Sequence, residues 1–143
     1  MTTTITTAAA LPACTDRDLE QVREIESILA SCEQVNIPTE HWLHAGMYAR
    51  TCRIPAGAVI SGALIARPTV VIISGHCVLN AGGAVREVNG YECLRGAAGR
   101  KQIIRAITDT SVTLVMRSSA SSLEAAEQEL TPEADKLLSR RQS

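Results

Sequence analysis

The sequence predicts a mainly β domain, an antiparallel sandwich, barrel or jelly roll, set between an N-terminal helix and a short C-terminal helical segment. Three observations carry this. All nine glycines fall between residues 44 and 118. In that stretch short β-branched runs alternate with turn signals, the mark of many short antiparallel strands. On both sides of it, apolar residues recur every three or four positions instead, the period of one helix face. The length, 143 residues, is that of one domain, and 45% hydrophobic content supplies a core.

Residues 1–15 form a Thr/Ala-rich arm that carries no charge and includes Ile5 and Leu11. Leu11-Pro12-Ala13-Cys14 faintly resembles a lipoprotein cleavage box. The first ten residues contain no Lys or Arg and no long apolar run, so the expectation is an uncleaved arm, mobile or docked on a partner. Residues 16–43 read as a helix and linker. Thr15 or Asp16 can cap, with Asp18 close behind. Leu19, Val22, Ile25, Ile28, Leu29, Cys32 and Val35 then make one apolar stripe, which Asn36 and Pro38 should end.

Residues 44–118 are the β body. Strands are expected at 48–54, 58–66, 69–74, 76–79, 84–88, 91–94, 102–108 and 112–116. Pro55-Ala56-Gly57, Ala66-Arg67-Pro68, Ala81-Gly82-Gly83 and Asn89-Gly90 punctuate them, the last two as hairpin turns because Gly and Asn tolerate positive φ. Val112, Leu114 and Met116 alternate with Thr113, Val115 and Arg117, the pattern of a half-buried strand. Residues 119–143 turn helical again. A capping box from Ser121 to Glu124 opens one helix, and Thr131-Pro132-Glu133 a second, with Lys136, Arg140 and Arg141 near its C-terminal end.

Composition excludes several functions. No apolar run approaches the ~20 residues that span a bilayer. With no Phe, one Trp and two Tyr, a stacking platform for single-stranded nucleic acid is not expected. Five cysteines, Cys14, Cys32, Cys52, Cys77 and Cys93, contain no close pair of the kind a zinc ribbon or redox motif needs, and read as reduced, buried thiols. Charge is uneven: residues 1–43 carry 2 basic and 7 acidic groups, 44–118 carry 9 and 3, and 119–143 carry 3 and 5. Either acidic helices pack beside a basic body, or Arg95, Arg100, Lys101 and Arg105 face an acidic partner. No helix-turn-helix is evident, so direct nucleic-acid binding is not expected.

The motifs His44-Ala45-Gly46-Met47-Tyr48-Ala49-Arg50 and Ile54-Pro55-Ala56-Gly57, followed by Gly75, Gly90, Gly99 and an acidic tail helix near Leu123–Leu130, resemble the small cupin-like (double-stranded β-helix) proteins of tailed bacteriophages. The resemblance spans roughly residues 40–130. It implies an antiparallel jelly roll similar to capsid cement or decoration proteins, made in the host cytoplasm and bound to the capsid exterior. It also implies the major capsid protein as partner, with Ile5, Leu11, Arg95, Arg100, Lys101 and Arg105 as contacts.

Against a metal-binding cupin the departures are specific. Counting from Gly57, Gly62 and Gly99, the places of its ligands hold Ala63, Ile65 and Gln102, and its late His falls near Met116 or Arg117. No metal, cofactor or catalytic residue is therefore expected. His41-x-x-His44 could place two imidazoles together, without a third donor. His76 and Cys77 are strand neighbours on opposite faces and cannot act as a pair. The alternative is a cupin-type small-molecule-binding protein or enzyme with a degenerate metal site. A homodimer is expected, because Val22, Ile25 and Leu29, or an edge strand at 48–54, would otherwise stand exposed.

Overall fold

The structure, a computed structural model, describes residues 10–137. Its order is β1 (Ala10–Leu11), α1 (Asp16–Ala30), β2 (Thr39–His44), β3 (Met47–Ile54), β4 (Val59–Ser61), β5 (Thr69–Ala81), β6 (Ala84–Gly96), β7 (Ile103–Ala106), β8 (Thr110–Arg117) and α2 (Leu123–Leu130), then a 3-10 turn at Ala134–Lys136.

The strands follow the path β1-β6-β5-β8-β3-β2, with β7 pairing both β5 and β4. Every pair is antiparallel except β1 with β6, so the sheet is mixed. The longest ladder joins β5 to β6 across the two-residue turn Gly82-Gly83, where both glycines have positive φ. β5 meets β8 through residues 70–74 and β7 through residues 77–79, changing partner at Gly75. This switch lets one strand serve both layers of the roll.

Two expected breaks do not exist. Gly75 and Asn89-Gly90 lie inside β5 and β6, with Gly75 paired opposite Gly90. Both glycines have positive φ, but the ladder runs through them. Conversely, the linker hides a strand: β2 occupies residues 39–44 and hairpins onto β3 through Ala45-Gly46. Residues 48–54 are thus interior, and β2 is the edge. The expected strand at 58–66 shrinks to β4 and a single bridge from Ile65 to Arg100.

The core lies between the layers. Leu11, Ile54, Val71, Ile73, Leu79, Val88, Leu94 and Ile104 form one cluster, and Tyr48, Ile65, Met116, Ala126 and Leu130 a second beneath α2. Leu11, 1% exposed, is therefore core, not a free arm residue. Residues 10–14 are fastened to the body: Ala97 N donates to Leu11 O at 2.9 Å and Cys14 N to Gly99 O at 2.9 Å. Ile5 lies outside the described residues.

α1 begins as expected: Asp18 N donates to Thr15 Oγ1 at 3.1 Å, and Thr15 N to Asp18 Oδ2 at 3.0 Å. Thr15→Ala removes this reciprocal cap and should lower stability by about 1 kcal/mol in urea unfolding. The helix ends before Asn36. Ser31 Oγ donates to Ile28 O at 2.7 Å and Gln34 Nε2 to Leu29 O at 3.2 Å, satisfying the terminal carbonyls early. Only Val22 of its stripe is buried; Ile25 is 44% and Ile28 65% exposed. At the other end α2 is capped by Ser122, one residue past the expected Ser121, and among the described residues the second C-terminal helix is a 3-10 turn. Arg140 and Arg141 lie outside the described residues.

Candidate functional site

Inside the roll is a cavity of about 110 Å³. Strand alternation builds it. Arg50 and Cys52 of β3, Val71 and Ile73 of β5, and Val112 and Leu114 of β8 point inward from registered positions. Leu130 and Leu137 line it from the C-terminal segment, and Ser61 at the end of β4 with Gly62 and Ala63 after it from a half-buried stretch. The lining is mostly aliphatic, with three cationic residues, Arg50, Arg100 and Lys136, of which the two arginines are buried.

Arg50 is the first. It interrupts the inward row Tyr48, Arg50, Cys52, Ile54 and is only 5% exposed. Its Nη1 lies 3.8 Å from Glu127 Oε2, beyond hydrogen-bond range, and has no hydrogen-bond partner among the described residues. Beside it, His41 Nδ1 lies 2.9 Å from Tyr48 Oη, with the rings stacked. Burial, then the Arg50 charge, hold the His41 pKa below its ordinary value, so the ring is neutral at pH 7. Burial raises Tyr48 to about 12 despite the Arg50 charge.

Arg100 is the second, 1% exposed. Its Nη1 donates to Ala97 O at 2.8 Å and its Nη2 to Thr69 Oγ1 at 2.5 Å, while Nε has no partner among the described residues. Gly96 makes room for it, because a Cβ there would strike the guanidinium. No carboxylate among the described residues pairs with it, and burial pulls its pKa down to about 10. Gln102, also on the wall, donates through Nε2 to Asn80 O and leaves Oε1 unpaired.

Lys101 points the other way, into a carboxylate cluster. Nζ donates to Gly62 O at 2.8 Å and sits 2.8 Å from Glu26 Oε2 and 3.1 Å from Glu133 Oε2. Arg23 joins Glu133 at 3.1 Å, and Ser61 Oγ donates to Glu26 at 2.7 Å. The acidic termini thus do pack beside the basic body, by ion pairing that ties α1 and the C-terminal segment to the roll.

These placements correct the expected contact patch. Arg100 and Lys101 are buried and Leu11 is core, so none of the three is available to a partner. Arg95 and Arg105 are exposed, but on different strands, β6 and β7. His41 and His44 fall on opposite faces of β2, and His76 engages Glu87 at 2.7 Å. The cysteines are free, yet only Cys77 is buried; Cys32 and Cys93 are exposed.

Ala63, Ile65 and Gln102 line the cavity, and Met116 packs next to Tyr48 in the second cluster. Among the described residues no three His, Cys, Asp or Glu side chains come together. Aliphatic walls carrying two guanidiniums do not fit a metal cation. Arg50 was legible as a charged residue in an inward alternation; Arg100 carried no such signal.

A second feature is the outer face of the sheet. Register aligns Trp42, Ala49, Val115 and Val70 in one cross-strand row, and Thr51, Thr113, Ile72 and Cys93 in the next. Trp42 is 67% exposed. Charges stand only at the ends of these rows, Arg95 on β6 and Glu40 on β2.

No protein-family model matches the chain, and no curated protein matches it in sequence. Solved structures do resemble it. A cupin-superfamily protein of Desulfitobacterium hafniense superposes with a TM-score of 0.50 at 9% identity, over 65% of this chain and 87% of that one. KdgF from a Halomonas species gives 0.50 at 14%, over 64% and 86%. A salicylate 1,2-dioxygenase of Pseudaminobacter salicylatoxidans gives 0.51 at 13%, over 71% of this chain but only 32% of its own. At such identities the likeness defines the fold: the chain has the jelly roll of cupin-superfamily proteins.

Proposed function

We propose that the chain is a non-catalytic structural protein of a tailed-phage particle, a cement or decoration protein that binds the major capsid protein from outside. The observation that carries this reading is the outer sheet face. Two rows across five strands, charged only at Arg95 and Glu40 at their ends and with an exposed Trp42 at the end opposite Arg95, offer a docking surface. Exposed surface so poor in charge suits protein–protein contacts, in which Trp is enriched. The sequence resemblance supplies the partner. A cavity whose lining does not suit a metal cation removes the usual reason to read this fold as an oxygenase.

Two copies would pair along the free edge of β2, placing their outer faces side by side. A dimer so formed attaches to two shell subunits at once, which raises avidity without a strong single contact. Light scattering that returns a monomer mass at micromolar concentration overturns this pairing.

Co-sedimentation with shells lacking the decoration protein tests the main reading. Wild type should pellet with shells, and Val70→Glu or Trp42→Glu should weaken attachment by about tenfold or more while leaving thermal unfolding unchanged. Reversing Arg95 to Glu should alter attachment in a salt-dependent manner. A wild-type protein that stays in the supernatant overturns the capsid reading.

A further inference from the structure

We propose that the groove between α1 and the outer face of the β6-β5-β7-β4 layer is a self-association surface, closed by the same groove of a second copy turned end for end. This contact is distinct from the pairing along β2, and it does not rest on the capsid reading.

The groove follows from register. Val59, Arg105, Val78 and Glu87 form one row across β4, β7, β5 and β6, and Ser61, Ile103, Asn80 and Val85 form the next. α1 lies against this face but seals little of it. It buries Val22, while Ile25 stays 44% exposed. Ile25, Val78, Val85 and Ile103 are left lining a groove of about 300 Å³, with Val85 76% exposed. Apolar side chains gathered in one groove, unlike single exposed ones, mark a surface that another body covers.

The charges identify that body. At one end of the groove Arg105 stands between Val59 and Val78. No carboxylate among the described residues pairs with it, and Glu87, across Val78 in the same row, is held by His76 at 2.7 Å. At the other end, by the Gly82-Gly83 turn, stands Asp18, whose Oδ1 is 3.2 Å from where a Cβ on Gly83 would lie. Asp18 accepts from Thr15 N and has no ion pair among the described residues. A groove that is cationic at one end, apolar in the middle and anionic at the other is complementary to itself after a half-turn. A two-fold axis across its centre sets Arg105 of each copy against Asp18 of the other and lays the apolar middles together. Such an isologous contact is the commonest way in which a chain pairs with itself. The opposite charges at its two ends fix the register and become stronger as the contact excludes water. Another partner would have to reproduce this polarity; a second copy already carries it. β2 ends the main strand path whereas β4 and β7 lie off it, so the two self-contacts use different surfaces.

Sedimentation equilibrium of the full chain at micromolar concentration tests this. Arg105→Glu and Asp18→Lys should each sediment at no more than about half the wild-type mass. Asp18→Lys keeps the backbone bond from residue 18 to Thr15 Oγ1, so α1 retains its N-cap. Mixed in equal amounts, the two variants should recover the wild-type mass, because each new charge then meets its opposite on the other chain. Val85→Glu lies at a position too exposed to disturb thermal unfolding and should break the contact from its apolar middle. The same mass for wild type, Arg105→Glu and Val85→Glu overturns the proposal, and so does a mixture that stays at the mass of the single variants. Equal masses together with weaker shell attachment of Val85→Glu would give the groove to the shell protein, and likewise overturn self-association. Failure of the β2 pairing lowers the mass of wild type and variants alike, so the two contacts fail separately.

Discussion

Lys101→Met is expected to lower the unfolding free energy by about 3 kcal/mol, measured by urea denaturation at pH 7. Met matches the length and apolar stem of Lys, so packing is nearly kept and the charge alone is removed. What it leaves is unfavourable. Glu26 and Glu133 lose a shared cation whose side chain is 1% exposed, and Gly62 O loses its donor. Arg23 still reaches Glu133, and Glu26 is partly open to water, which keeps the expected loss near the lower end for a broken buried pair. Lys101 is held at this spot by its own backbone. Asn80 Nδ2 donates to Lys101 O at 3.0 Å, and Lys101 N donates to Cys14 Sγ at 3.4 Å. The loss should therefore be local to α1 and the C-terminal segment in hydrogen exchange before it becomes global.

The same cluster sets the acid limb of stability. Burial would raise both carboxyl groups, but the Lys101 hydrogen bonds and charge outweigh it and hold Glu26 and Glu133 below the ordinary 4.5. With folded pKa values below unfolded ones, the unfolded chain takes up protons first as pH falls. The stability these groups contribute is whole above about pH 4.5 and drains away as pH drops through their folded values. Lys101→Met should flatten that part of the profile. A variant with an unchanged acid limb would mean that the cluster does not stabilise the fold.

How far the sequence exposes this molecule depends on whether a signal is local. The Thr15–Asp18 cap, the Gly82-Gly83 turn and the alternation of β8 are set by neighbours a few residues apart, and each is legible. β2 escapes notice because an edge strand need not be apolar: Glu40, Trp42 and His44 all face water. Arg100 and Lys101 read as surface because charged side chains are seldom buried. Their companions, Thr69, Glu26 and Glu133, lie far along the chain and meet them only in the folded roll. The apolar lining at Ala63 and Ile65 was legible by counting along the motif that the chain resembles; Arg100 in the same lining was not.

The largest effect expected from a single methyl group belongs to Gly75→Ala. Gly75 has φ +140°, a region L side chains rarely adopt, in the middle of β5. It is also where the strand leaves β8 for β7, and the chain around Asp109 and Thr110 crosses close by. A Cβ at this position would lie 2.7 Å from Asp109 O and 2.8 Å from Thr110 Cα. Those are backbone atoms, tied down by the Thr110 Oγ1 bond to His76 O at 3.2 Å and the His76 N bond to Thr108 Oγ1 at 3.1 Å. They cannot swing aside as a side chain could. Steric overlap and backbone strain then add, for a loss of about 3 kcal/mol or more. Gly90, its partner across the ladder, separates the two terms. It too has positive φ, +110°, but a Cβ there meets nothing within 4 Å. Gly90→Ala should therefore show the conformational cost alone, about 1 kcal/mol. Urea unfolding of the two variants side by side decides it. Equal losses would mean that strain, and not the close passage of residues 109 and 110, is what reserves this corner for glycine.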